Sequence, residues 1–63
     1  MKNRIKVLRA EKNWSQAELA ERINIARQSL NAIENGKAGP SLPLGMRIAK
    51  VFGVRVEDVF GDD

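Results

Sequence analysis

The sequence predicts an all-α fold, a compact domain of five short helices. Three observations carry that expectation. Apolar residues recur at three- and four-residue spacings in separate short runs, capping residues and glycines punctuate those runs, and no segment sustains the period-two alternation of a half-buried strand. At 63 residues and 43% apolar content, the chain suffices for one domain and no more, because below about 70–80 residues a single core is only marginally sufficient.

The first helix is "RIKVLRAEK", with Ile5 and Leu8 on one face and Lys2 and Lys6 opposite. Asn13 and Trp14 break the pattern, and Ser15 followed by Glu18 forms a capping box for the next segment. The second helix runs from about Gln16 to Arg22 and is expected to bury Ala17, Ala20 and part of Leu19. In the turn "INI", Asn24 tolerates the left-handed conformation that a sharp reversal needs. The third helix starts near Ala26 or Arg27 and ends at Asn35 and Gly36, since glycine commonly sits just past a helix. After the loop "KAGPS", Ser41 caps the fourth helix, Pro43 is tolerated in its first turn, and Gly53 stops it. A last helix spans about Val56 to Phe60. Residues 1–60 thus form the domain, and Gly61, Asp62 and Asp63 are expected to be a frayed acidic tail. The expected core is Ile5, Leu8, Trp14, Ala17, Ala20, Ile23, Ile25, Leu30, Ile33, Leu44, Ile48, Ala49, Phe52, Val54, Val59 and Phe60.

Composition removes several classes of function. There is no cysteine for a disulfide or thiolate metal site, and no histidine, the commonest general base and metal ligand. Ser15, Ser29 and Ser41 therefore lack an activating base, and two of them are better explained as caps. Glu57, Asp58, Asp62 and Asp63 lack ordered metal-ligand spacing, and the first two suit the first turn of a helix. No enzyme activity, metal or cofactor is expected. No apolar run approaches the roughly 18 residues that span a bilayer, so a cytoplasmic protein without a membrane partner is expected. The net charge is +3, and residues 1–12 hold Lys2, Arg4, Lys6, Arg9 and Lys12 against Glu11 alone, a distribution suited to a polyanion.

The third helix carries the chemistry. Leu30 and Ile33, roughly 60° apart on the helical wheel, set its buried direction. Gln28 and Asn35 point almost directly away, with Asn31 and Ala32 beside them and Arg27 at the edge. Surface helices that need only solubility favour Lys and Glu. Amides, a guanidinium and a small methyl instead match base edges in the major groove, which admits a single helix. Two helices joined by a short turn, the second bearing such a face, constitute a helix-turn-helix.

"SQAELAERI", "RQSLNAIENGK", "PSL", "IAKVFGV" and "EDVF" together resemble the phage repressor and Cro-type family, also called the xenobiotic-response-element family, over nearly the whole chain. The resemblance implies a lambda-repressor-like fold and a sequence-specific, double-stranded DNA-binding transcriptional repressor. It implies that Arg27, Gln28, Asn31 and Ala32 occupy base-contacting positions, and that Gln16, Asn35, Gly36 and Lys37 contact phosphates. It also implies that Arg9 and Glu34, both near apolar faces, pair with each other as scaffold. A homodimer on a two-fold operator is the expected working form, with Val54, Val56 and Phe60 as its surface and no small-molecule effector. The sequence departs from many relatives at Asn24, Ala26 and Arg55, where glycine and hydroxyl caps are usual. Those departures motivate the alternative of a protein-interaction module or antitoxin partner with weakened DNA reading.

Overall fold

The structure is a computed structural model describing residues 2–61; Asp62 and Asp63, expected to fray, lie outside the described residues. Five helices follow in order: α1 (Ile5–Lys12), α2 (Gln16–Arg22), α3 (Arg27–Glu34), α4 (Leu42–Phe52) and α5 (Val56–Phe60). Among the described residues there is no strand. The apolar stripes converge on one core: Ile5 and Leu8 from α1, Leu19 and Ala20 from α2, Ile23, Leu30 and Ile33, then Ile48, Ala49 and Phe52 from α4, with Val59 from α5. Trp14, Ile25, Leu44, Val54 and Phe60 are only partly buried against it.

One core assignment is overturned. Ala17 is exposed, whereas Leu19 is fully buried. On the wheel of α2, Leu19, Ala20 and Ile23 centre the buried stripe, and Ala17 lies roughly 110° from that centre. Gln16 falls on the stripe instead. A polar side chain is thus directed toward α3 where the small alanine was expected to pack.

The helix ends follow their local chemistry. Ser15 Oγ accepts the Glu18 N–H at 3.0 Å, and Ser41 Oγ accepts the Leu44 N–H at 3.3 Å. Asn13 and Asn24 adopt positive φ, 59° and 58°, which asparagine tolerates better than most residues. Gly53, at φ 71°, closes α4 while its N–H donates to the Lys50 carbonyl. The start of α3 has no hydroxyl cap: Ala26 has extended backbone and makes no side-chain capping bond.

Several connections join residues far apart in sequence. Arg47 Nη1 on α4 donates to the Ile23 carbonyl at 2.7 Å, satisfying the end of α2. The Asn3 side chain donates to the Ile33 carbonyl at 2.8 Å and accepts the Ile5 N–H at 3.1 Å, so it ties the start of α1 to the end of α3. The Arg4 N–H donates to the Val59 carbonyl at 2.9 Å. Trp14, in the α1–α2 turn, stacks on Phe52 with centroids 5.5 Å apart, and the Arg22 guanidinium lies 4.2 Å from the indole centroid.

At α5 the absent Ser cap is replaced by the reciprocal half of a capping box. The Asp58 carboxylate accepts the Arg55 backbone N–H at 3.0 Å and meets its guanidinium at 3.5 Å. Those bonds, the backbone one foremost, hold the Asp58 carboxyl below the usual aspartate range, and the same partner raises Arg55. The cap therefore stabilises folding fully above the unfolded aspartate value of about 3.9, and its contribution is lost as pH falls through the lowered folded value. An NMR titration of the Asp58 carboxyl is expected to show a midpoint below that of free aspartate. A midpoint at or above the free value would show that the cap does not form.

Gly45 lies inside α4 and is buried. A Cβ built there meets Phe60 and Pro40 carbons at 3.7 Å, ordinary van der Waals contact. Gly45→Ala is accordingly expected to raise unfolding stability by about 1 kcal/mol through helix propensity, read as an upward shift of the urea midpoint at unchanged m-value.

Candidate nucleic-acid interface

Helices α2 and α3 are joined by the turn at Asn24 and packed across Leu19, Ile23, Leu30 and Ile33. With Leu30, Ile33 and Glu34 buried, α3 leaves Arg27, Gln28, Asn31 and Asn35 exposed, with Ala32 half-buried at the margin. The outward face therefore carries one guanidinium, three amides and a methyl.

Behind that face lies a buried charge. The Glu34 side chain has 0% exposure and that of Arg9 17%. Arg9 grips the carboxylate in a fork, Nε to Oε2 at 2.7 Å and Nη2 to Oε1 at 3.1 Å, while its Nη1 donates to the Trp14 carbonyl at 3.0 Å. Gln16 Nε2 adds a third bond to Glu34 Oε1 at 3.2 Å. No buried side-chain nitrogen or oxygen among the described residues lacks a partner. Burial of this charge is tolerable only because its hydrogen bonds are complete.

Gln16 extends the network outward. Its Nε2 also donates to Asn31 Oδ1 at 3.2 Å, and its Oε1 accepts from Arg27 Nε at 3.1 Å. The side chain thus bridges the ion pair and the exposed face, the buttressing role expected of this position beside its phosphate contact.

The "ENGK" turn is similarly occupied. Gly36, at φ 76°, donates its N–H to the Ile33 carbonyl at 3.0 Å, and Lys37 donates to the Ala32 carbonyl at 2.9 Å. The Gly36 N–H closes α3, and glycine is present for its left-handed conformation. Side chains supply the outward donors here. Lys6 Nζ donates to Asn35 Oδ1 at 3.3 Å, which turns that oxygen toward α1. Lys6 was recognisable as a basic residue, but nothing local linked it to a residue 29 positions away. Lys2, Arg4, Asn35 and Gly36 line the cleft beside this turn.

Val54, Val56 and Phe60 are each half-buried rather than exposed. The more exposed apolar side chains nearby are Leu42 at 72% and Met46 at 56%, on α4. Among the described residues, no group of three or more His, Cys, Asp or Glu is placed to hold a metal ion, and no helix is long and apolar enough to cross a membrane.

The helix-turn-helix family profile matches residues 5–59. An uncharacterized HTH-type transcriptional regulator of Methanocaldococcus jannaschii is 50% identical over 60 residues, covering 95% of this chain and 91% of its own. The crystal structure of the hypothetical transcription factor NHTF from Neisseria superposes with a TM-score of 0.78 at 28% identity, covering 86% of this chain; this chain spans only 62% of that one. The crystal structure of the master regulator for biofilm formation SinR in complex with DNA superposes with a TM-score of 0.77 at 36% identity, over 86% of this chain and 87% of that one.

Arg9→Met would leave Glu34 buried without its fork. The expected loss is about 3–5 kcal/mol, most of the stability available to a domain of this size. Replacing Glu34 by Leu in the same chain removes the orphaned charge and is expected to recover most of that loss in urea denaturation. A double variant as unstable as Arg9→Met would show that lost packing, not the unpaired carboxylate, is responsible.

Proposed function

The chain belongs to the helix-turn-helix family of phage-repressor and Cro type, and from that premise we propose that it is a sequence-specific, double-stranded DNA-binding transcriptional repressor acting as a homodimer. The observation that carries this reading is the outward face of α3, where Arg27, Gln28 and Asn31 stand exposed while Leu30, Ile33 and Glu34 anchor the helix from behind. In this reading α3 lies in the major groove, those three side chains read base edges, and the Ala32 methyl faces thymine methyls. Asn35 and Lys37, with Lys6 behind Asn35, hold phosphates on one side; the N-terminus of α2 at Gln16 holds them on the other. Gly36 supports this clamp by shaping the turn. The protein is not an enzyme, needs no cofactor or effector for this role, and works in the cytoplasm where its DNA is.

One domain of this size reads few base pairs, which supports a two-fold dimer on half-sites about 34 Å apart, one helical turn of the duplex. We assign the shared surface to Val54, Val56 and Phe60, enlarged by the exposed Leu42 and Met46 of α4.

A salt titration on random and selected duplexes tests the function. Affinity is expected to fall steeply with salt through counterion release. Gln28→Ala should relax base preference, whereas Lys37→Ala should weaken binding on every sequence and reduce the salt slope by about one. Equal losses from both changes on all sequences would remove α3 as the reading helix. Absence of salt-sensitive DNA binding, with tight binding to a protein, would favour the interaction-module alternative.

A further inference from the structure

Val56 lines two apolar grooves that share no other residue, and the two differ in charge. The smaller, about 150 Å³, is lined by Leu42, Gly45 and Phe60 with neutral neighbours and by no charged residue. The larger, about 530 Å³, lies between α4 and the start of α5. Met46, Val54 and Val56 supply its apolar surface, Arg47, Lys50 and Arg55 line the same space, and no carboxylate does.

The three cations differ in how far they are already compensated. Arg55 is paired with Asp58 at 3.5 Å. Arg47 donates Nη1 to the Ile23 carbonyl at 2.7 Å, a neutral partner that leaves its charge unbalanced. Neither Arg47 nor Lys50 forms an ion pair with a described residue. They are the only charged residues of α4, which has no carboxylate of its own. Beside them the Met46 side chain stands exposed.

These features together narrow the occupant. A purely apolar segment would strip water from the Arg47 and Lys50 charges without compensating them. A nucleic-acid backbone or free phosphate would meet the cations but leave Met46, Val54 and Val56 in water. A bilayer surface is flat, whereas this apolar surface lies in a groove. A two-fold contact with a second copy brings the same patch against itself, and here it would set Arg47 and Lys50 against their own counterparts. The neutral groove carries no such penalty. A dimer centred there leaves the basic groove open.

We propose that the α4–α5 groove docks an acidic amphipathic segment of a partner protein, with its apolar side chains on Met46, Val54 and Val56 and its carboxylates on Arg47 and Lys50. No residue of α2 or α3 lines this groove. The occupant therefore leaves the outward face of α3 uncovered, and the inference does not rest on the DNA reading.

The test is selection of binders to the full chain from a displayed library of random short peptides, located on the protein by methyl NMR shifts. Enriched peptides are expected to combine apolar residues with Asp or Glu, and to shift the methyls of Met46, Val54 and Val56 while leaving that of Ala32 on α3 in place. Lys50→Glu is expected to weaken the selected peptides roughly tenfold, at an unchanged urea midpoint because the Lys50 side chain is exposed. Lys50→Gln is expected to fall between the two, which separates loss of charge from any loss of folding. Enrichment of basic or neutral peptides, no enrichment, or equal affinity for the unmodified protein and both Lys50 variants overturns the proposal. Shifts confined to Ala32 would place the acidic peptides on the α3 face and overturn it too. Phosphatidylglycerol vesicles that shift Met46 and Val56 where no peptide does would assign the groove to lipid, with the same result.

Discussion

The buried Glu34 carboxylate is the constraint around which the molecule is organised. A charge in that position demands hydrogen bonds from every side, and they come from different parts of the chain: Arg9 on α1 and Gln16 on α2. Arg9 in turn fastens the α1–α2 turn through the Trp14 carbonyl. Three helices are therefore held in one mutual orientation by a polar centre beside an otherwise aliphatic core. Since Glu34 shares a helix with the exposed amides, the bonds that stabilise the domain are continuous with those that orient its outward face.

Much of the fold was legible because its signals are local. Ser15, Ser41 and Gly53 mark helix ends through their own backbone geometry, and Leu30 and Ile33 orient α3 by spacing alone. The outward placement of Arg27, Gln28 and Asn31 followed from that orientation. What could not be read depends on residues distant in sequence. Asn3 reaches Ile33, Arg47 reaches Ile23 and Lys6 reaches Asn35, and no local pattern announces any of these. Ala17 differs in kind: a small apolar residue suits a helix interface, but the neighbouring stripe position is held by Gln16 and Ala17 faces solvent. Likewise, an amide can be placed on a face from spacing, but which of its ends points outward depends on a partner across a helix–helix contact.

The start of α3 shows how the fold manages a weak local signal. Ala26 supplies no capping oxygen, a deficit of about 1 kcal/mol, and Asn24 occupies a left-handed conformation without glycine's freedom. Tertiary bonds flank the same region: Arg47 holds the Ile23 carbonyl before the turn, and Gln16 holds Arg27 just after it. The helix start is defined from outside by its neighbours, whereas α4 is defined from within by Ser41 and Gly53.

The Gly36 N–H bond to Ile33 also bears on the chemical lifetime of the protein. Asn followed by Gly is the pairing in which the backbone nitrogen most readily attacks the preceding side-chain amide carbon, expelling ammonia to form a cyclic succinimide that water then opens to a carboxylate. Here the Gly36 N–H is bound to the Ile33 carbonyl, Asn35 is held at ψ 2°, and Asn35 Oδ1 is engaged by Lys6. With its proton held by the Ile33 carbonyl, that nitrogen is a poorer nucleophile. The hydrogen bonds that end α3 thus protect Asn35 from becoming an anion.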